Sequence, residues 1–411
     1  MFANQNARMS RKSSLVPATA IPRAGTLLLA VVLGAAAGFH PAAAAAPALS
    51  PAPWARPQNP LLNRVAVFGS DQRVPLPQSL RSAGVMIGVL HDPRSRSVCT
   101  AFCVARDIVA TAAHCLYRTN GVAPLRLTDF TVKLHGSRIT TRIAGAEAGT
   151  PDLNVIAGST RLNVHPPIDA TRDWALVRLA RPLCKAGSFK LSRRPVEDVM
   201  RLAQAGRVYN VAYHRDLPKW RPMFDPSCLV RRSFEDADWG TIRRDFHDPD
   251  QLLLHTCDTG GASSGSPLLV DGPDGPEVVG INVGTYVQSK VIMLNGEVLH
   301  RFKSDDVANT GVNSLAFAAA LDALSSADIL ATRRDIRVLQ ERLAAKGLYH
   351  GPRNGTFSAQ TKAAIESFER ASEMPVTGLA TRPLLQALLG TSEVVTGKIQ
   401  AKAGAASAAA R

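Results

Sequence analysis

A chain of 411 residues with 45% hydrophobic and 20% charged side chains can bury a sizeable core, which excludes a wholly disordered protein and leaves room for two domains. The formal net charge is +15, but four of the cations sit at Arg8, Arg11, Lys12 and Arg23, and the rest are scattered among Asp and Glu. There is no basic stripe with interleaved aromatics, so nucleic acid is not an expected partner, and the excess charge favours loose attraction to anionic polymers of a cell envelope instead.

The chain opens as a secretory signal would. Arg8 to Arg23 is a positive region without an acidic residue, Gly25 to Phe39 is an apolar run, and Ala42 to Ala46 offers small-residue cleavage sites. The apolar run falls short of the roughly 20 residues of a spanning helix, so cleavage after export is expected and a stable membrane span is not. Residues 1–46 are thus expected to be removed, and the Pro- and Ala-rich residues 47–60 to form a flexible linker. The six cysteines (Cys99, Cys103, Cys115, Cys184, Cys228 and Cys257) form no C-x-x-C pair and no Cys/His metal spacing, so disulfides are expected and a metal is not.

From Arg64 onward, short apolar runs alternate with turns. Val65–Phe68, Val85–Leu90, Phe102–Val104, Ile108–Thr111, Phe130–Leu134, Leu176–Leu179, Val208–Ala212, Leu252–Leu254, Leu268–Val270, Val278–Val283 and Val291–Leu294 read as strands. Strands at this spacing predict a β-barrel or sandwich, closed by a first long helix over Ser314–Leu324.

Three short stretches carry chemistry. Thr111-Ala112-Ala113-His114-Cys115 follows a strand and offers a general base among small residues. Asp173-Trp174-Ala175-Leu176 places one carboxylate at a strand edge, where it could fix an imidazole tautomer. Asp258 to Leu269, D-T-G-G-A-S-S-G-S-P-L-L, sets Ser264 in a small-residue turn able to aim amide N–H groups at a carbonyl. Each could be structural alone: a satisfied histidine, a turn aspartate, a serine–glycine loop. Their occurrence together in the order His, Asp, Ser points to nucleophilic catalysis.

These motifs, with F-G-S-D-Q-R-V at Phe68–Val74, resemble the trypsin/chymotrypsin-like serine endopeptidases, and within them the bacterial branch that includes glutamyl endopeptidases. The resemblance covers residues 61–330. It implies an all-β fold of two six-stranded antiparallel barrels with the site between them. It implies His114 as base, Asp173 as its orienting carboxylate, Ser264 as nucleophile and the N–H groups of Ala262 and Ser264 as oxyanion donors. Cys99 with Cys115 matches the family's disulfide at the histidine loop; Cys228 with Cys257, and Cys103 with Cys184, are the remaining expected pairs. Two positions depart from the pattern. Ala262 replaces a glycine, which is unfavourable if the turn needs positive φ. Ser263 replaces the aspartate that many animal members pair with a newly cut N-terminus, so that switch is not expected. Asp258 stands where trypsin-like members carry a pocket carboxylate selecting Arg or Lys, and equally where a structural aspartate would sit beside Cys257. Asn282 stands where glutamyl endopeptidases carry a pocket histidine, which argues against strong preference for Glu. Val283, Gly284 and Thr285 would form the edge that pairs with substrate backbone.

Beyond Leu330 the composition shifts to helix formers. Asp335–Ala345, a helix capped by Ser358 with Ala364, Ile365, Phe368 and Ala371 on one face, and a third after Thr381 with Leu384, Leu385 and Leu388 predict a small all-α domain of three helices. Val338–Arg370 and Pro375–Thr381 resemble the peptidoglycan-binding type 1 domain, over residues 333–389; Asn354, Ser358 and Glu369 depart from its usual residues. Residues 390–411, rich in Ala, Lys and Ser, are expected to be a disordered tail.

The expected whole is an exported, periplasmic or extracellular serine endopeptidase acting on protein or peptide through an acyl-enzyme, held at peptidoglycan by its second domain and needing no cofactor. The alternative is a catalytically silent barrel that only binds the wall.

Overall fold

The computed structural model describes residues 66–117, 125–226, 228–234, 238–294 and 297–390, with 287–306 as backbone alone. The expected signal segment, the linker at 47–60 and all but the first residue of the expected tail lie outside the described residues.

Two curled, almost wholly antiparallel sheets form the body. The first runs, in spatial order, through Thr141–Arg142, Thr131–Leu134, Ile87–Asp92, Ser97–Ala105, Ile108–Thr111, Ala175–Arg178 and Val155–Ala157. Its centre is the pair Ile87–Asp92 and Ser97–Ala105, in register from Ile87 opposite Phe102 to Asp92 opposite Ser97. The second runs through Val74–Pro75, Met223–Asp225, Val208–Ala212, Pro267–Gly272, Gly275–Leu294, Glu297–Asn313, Leu252–His255 and Val230–Arg231, with Lys190–Leu191 added in parallel to Gly275–Leu294. One apolar cluster joins the sheets, holding Phe102, Ile108, Val132 and Leu176 from the first and Val211, Leu254, Leu269 and Ile281 from the second. The strands outnumber the expected six per barrel because short edge pieces such as Thr141–Arg142 and Val230–Arg231 also pair.

Among the described residues, three α-helices precede the stretch where the sequence predicts the first long one, two of them single turns at Arg81–Gly84 and Trp239–Ile242. Val196–Gln204 follows Pro195 and buries Val196, Val199 and Ala203, a spacing of three and four that one apolar helical face requires. The closing helix spans Leu315–Ser326. The disulfides are Cys99–Cys115, Cys103–Cys184 and Cys228–Cys257.

The C-terminal helices are Arg333–Ala345, Ala359–Ala371 and 382–390. Each starts on a hydroxyl: Thr332 accepts from the Asp335 N–H at 3.1 Å, Ser358 from Thr361 at 3.2 Å and Thr381 from Leu384 at 3.3 Å. Ala371 is exposed, so the middle helix buries only Ala364, Ile365 and Phe368 of the expected face. Buried Glu369 accepts from the N–H groups of Thr377 and Gly378 at 2.7 and 2.8 Å, which fixes the turn into the last helix. Leu153, from a loop of the first sheet, joins Leu330, Ile336, Leu339 and Leu384 in the core of these helices. Arg178 donates to the carbonyls of Ala327 (3.2 Å) and Leu324. Among the described residues the helical domain therefore meets the body through a shared apolar core.

Candidate active site

His114 lies in a short 3-10 turn, Ala113–Cys115, directly after the fully buried strand Ile108–Thr111. The disulfide from Cys115 to Cys99 ties that turn back to the neighbouring strand. Asp173 ends another 3-10 turn, Ala170–Arg172, just before the strand Ala175–Arg178. That strand pairs with Ile108–Thr111, Thr111 opposite Ala175, which brings the two turns side by side. Asp173 then grips His114 twice. Its Oδ1 accepts from the His114 backbone N–H at 2.8 Å, and its Oδ2 meets Nδ1 of the ring at 2.7 Å. A carboxylate at Nδ1 places the proton there and leaves Nε2 as an acceptor. Behind this pair Trp174 is buried against Phe317 of the closing helix, with ring centroids 5.8 Å apart.

The His114 side chain is 28% exposed, against 11% for Asp173. Burial alone lowers the imidazole pKa, but the charge of Asp173 and its hydrogen bond outweigh it, and the pKa stands above the ordinary 6.5.

Ser264 comes from the second sheet's side, in the turn before Pro267–Gly272. The turn is held by its backbone. Thr100 donates its N–H to the Ser264 carbonyl at 2.9 Å and its hydroxyl to the Ala262 carbonyl at 2.8 Å. Gly265 donates to the Asn282 carbonyl at 2.8 Å. At Gly265, φ is +83°, and an added Cβ would fall 2.3 Å from both the Thr100 carbonyl and the Thr111 hydroxyl. The turn thus presses directly on the strands that lead to His114, and only glycine fits there.

Ala262 has φ +80°. The turn adopts the positive φ for which alanine is unsuited, at a cost of about 1–2 kcal/mol. The N–H groups of Ala262 and Ser264 make no hydrogen bond with any described residue, and neither does the Ser264 hydroxyl. Two amide donors and one hydroxyl therefore remain available at one turn. No bond joins Ser264 to His114, a contact that in unliganded sites is often long and tightens only around substrate.

The remaining expected site residues are placed differently. Asp258 is 2% exposed, and its oxygens accept from the N–H groups of Phe68 and Gln72 at 2.9 and 2.7 Å. Its carboxylate fastens the Phe68–Gln72 segment. Asn282 is also buried, and its Nδ2 donates to the carbonyl and hydroxyl of Ser263 at 3.2 and 3.3 Å. Its side chain supports the serine turn from behind. Val283, Gly284 and Thr285 continue a strand that pairs on one side with Glu297–Asn313, while pairing with Pro267–Gly272 stops at Ile281. From Val283 that second edge has no strand partner among the described residues. Cys99, His114 and Cys115 bring their ligand atoms within 4.8 Å of one another, but the two sulfurs are joined as a disulfide and are not metal-binding thiolates.

Residues 99–281 match the trypsin-like peptidase domain, and residues 332–388 match a putative peptidoglycan binding domain. The chain carries a trypsin-like peptidase domain followed by a peptidoglycan-binding domain. No curated protein matches it. A solved structure of a Glu endopeptidase in complex with MPD aligns with 62% of this chain and 96% of its own, at 14% identity and a TM-score of 0.40.

Thr100 is the site residue that motif reading misses. It lies 162 positions from Ala262, inside an unremarkable strand, and nothing in its local sequence marks the contact.

Proposed function

We propose that the protein is an exported serine-type endopeptidase. Ser264 Oγ attacks the scissile carbonyl carbon as His114 Nε2 takes its proton. The C–N bond then breaks, the proton passes from His114 to the leaving amine, and water hydrolyses the acyl ester by the same route reversed. Asp173 keeps the imidazole in the required tautomer, and the N–H groups of Ala262 and Ser264 stabilise the oxyanion. The open edge at Val283–Thr285 would take the substrate backbone as an added strand. The observation that carries this reading is the double grip of Asp173 on His114 within the same packed body as the serine turn.

Asp258 is better read as structural than as a pocket base, because its oxygens are occupied by Phe68 and Gln72. Preference for Arg or Lys is therefore not part of the proposal. Disulfide bonding of every cysteine supports an oxidising compartment. The helical domain supports retention at peptidoglycan, which would raise the local concentration of the peptidase at the wall.

Incubating the mature protein with an unfolded protein substrate tests the reading. Fragments from the parent and none from Ser264→Ala support it. Absence of fragments from correctly folded parent protein favours the silent, wall-binding alternative. Release of muropeptides from purified sacculi would point to a different hydrolase.

A further inference from the structure

A backbone held in a strained conformation persists only where its surroundings over-determine it. Ala262, at φ +80°, is such a position, and its immediate restraints are hydrogen bonds to the carbonyls of its turn. Arg215 donates to the Gly261 carbonyl at 2.6 Å, Ser263 to the Gly260 carbonyl at 3.1 Å, and the Thr100 hydroxyl to Ala262 itself. The loop that supplies Arg215 also supplies Asp216, whose carboxylate lies against Gly260: a Cβ added there would fall 1.9 Å from Asp216 Oδ1.

Asp216 is held from the far end of the chain. Arg73 Nη2 meets it at 2.8 Å and meets Asp71 Oδ2 at 2.7 Å, while Arg73 Nε donates to Asp71 Oδ1 at 2.9 Å. The Arg73 side chain is only 2% exposed. Its segment is also stitched directly to the serine loop at two places. Ala66 and Thr259 exchange backbone hydrogen bonds at 3.0 and 2.9 Å, and Asp258 takes the N–H groups of Phe68 and Gln72. Asp258 and Thr259 of the serine loop are thereby bonded to one stretch near the start of the described residues, which reaches Gly260 through Asp216.

We propose that Ala66–Arg73 is a built-in clamp on the oxyanion turn, with Arg73 as its positioning residue. Arg73 holds Asp216, Asp216 packs against Gly260, Arg215 bonds to the Gly261 carbonyl, and together these fix the backbone that leads into Ala262. A planar guanidinium can bridge two carboxylates in fixed geometry, which a lysine ammonium does less well. This inference rests on the peptidase reading above.

The test compares Arg73→Met and Arg73→Lys in the parent and in an Ala262→Gly background, because glycine holds positive φ without help. Complete loss of one oxyanion donor lowers kcat by about 10²–10³-fold, so a loosened turn in Arg73→Met is expected to lower kcat about 10–100-fold, with KM little changed. Arg73→Lys recovers part of that loss. With Ala262→Gly present, the same Arg73→Met change is expected to cost less than about threefold, because the two sites are coupled. An equal loss in both backgrounds, or a lower melting temperature with kcat intact, overturns the proposal. If Arg73→Met does not fold, Asp216→Asn, of the same size without charge, takes its place in the comparison. A parent that turns nothing over refutes the peptidase reading, and amide hydrogen exchange then tests the clamp separately. Exchange across 258–264 should quicken in Arg73→Met and slow again with Ala262→Gly; exchange that does not change contradicts the clamp.

Discussion

The base and the nucleophile of the candidate site are held by different means. His114 is fixed by a side chain: one carboxylate grips both its backbone N–H and its ring, and a disulfide fastens the next residue. Ser264 is fixed through the backbone of its turn: Thr100, Asn282 and Arg215 bond to the carbonyls and amides around it, leaving its hydroxyl and two N–H groups without partners among the described residues. The first arrangement serves a group that must keep one orientation while its proton comes and goes. The second serves a group that must stay open on the side from which substrate arrives. Strain is confined to the second, at Ala262.

The largest effect that could break this comparison is Asp173→Asn. If the side-chain grip sets the tautomer, kcat should fall by about 10⁴-fold while the fold survives. A fall of less than about tenfold would mean that His114 is oriented by packing alone. Next comes pH. The raised His114 pKa means that the reactive neutral ring is lost as pH falls through a value above 6.5, so the acid limb of kcat/KM should lie above that value. Removing the Asp173 charge should move the limb to lower pH. A limb already below 6.5 in the parent would show that burial outweighs the carboxylate.

Stability separates the two arrangements further. Asp258→Ala removes the acceptor for two amides and should cost about 3 kcal/mol in urea unfolding, without selectively abolishing cuts after Arg or Lys. Selective loss of those cuts in a stable variant would restore Asp258 to the substrate pocket. The smallest expected effect is Ala262→Gly, which relieves the positive φ and should raise stability by about 1 kcal/mol. A loss of stability would mean that the alanine methyl makes contacts worth more than the strain.

What could be read in advance follows the range of the interactions. His114, Asp173 and Ser264 sit in short motifs whose neighbours declare their setting, such as Cys115 beside the histidine and Gly265 after the serine. The helical domain was legible from its caps, Thr381 and Ser358, and its apolar spacing. The roles of Thr100 and Arg73 were not, because each works on residues more than 140 positions away: Thr100 stands in no motif, and Phe68–Val74 contains Arg73 without showing what it holds. Leu153 belongs with them: a lone leucine in a loop of one domain gives no sign that it completes the core of another. Asp258 shows the same limit of range. Its position left a pocket and a structural reading equally open, because its partners, Phe68 and Gln72, lie too far off in sequence to decide between them.

The central claim is that Ser264 becomes a nucleophile because Asp173 holds His114 ready to take its proton. The direct measurement is peptide mapping by mass spectrometry after treatment of the mature, folded protein with a fluorophosphonate, alongside His114→Ala. A single adduct on Ser264, formed orders of magnitude more slowly in His114→Ala, is the predicted result. No adduct at Ser264, or one formed equally fast without His114, would contradict it.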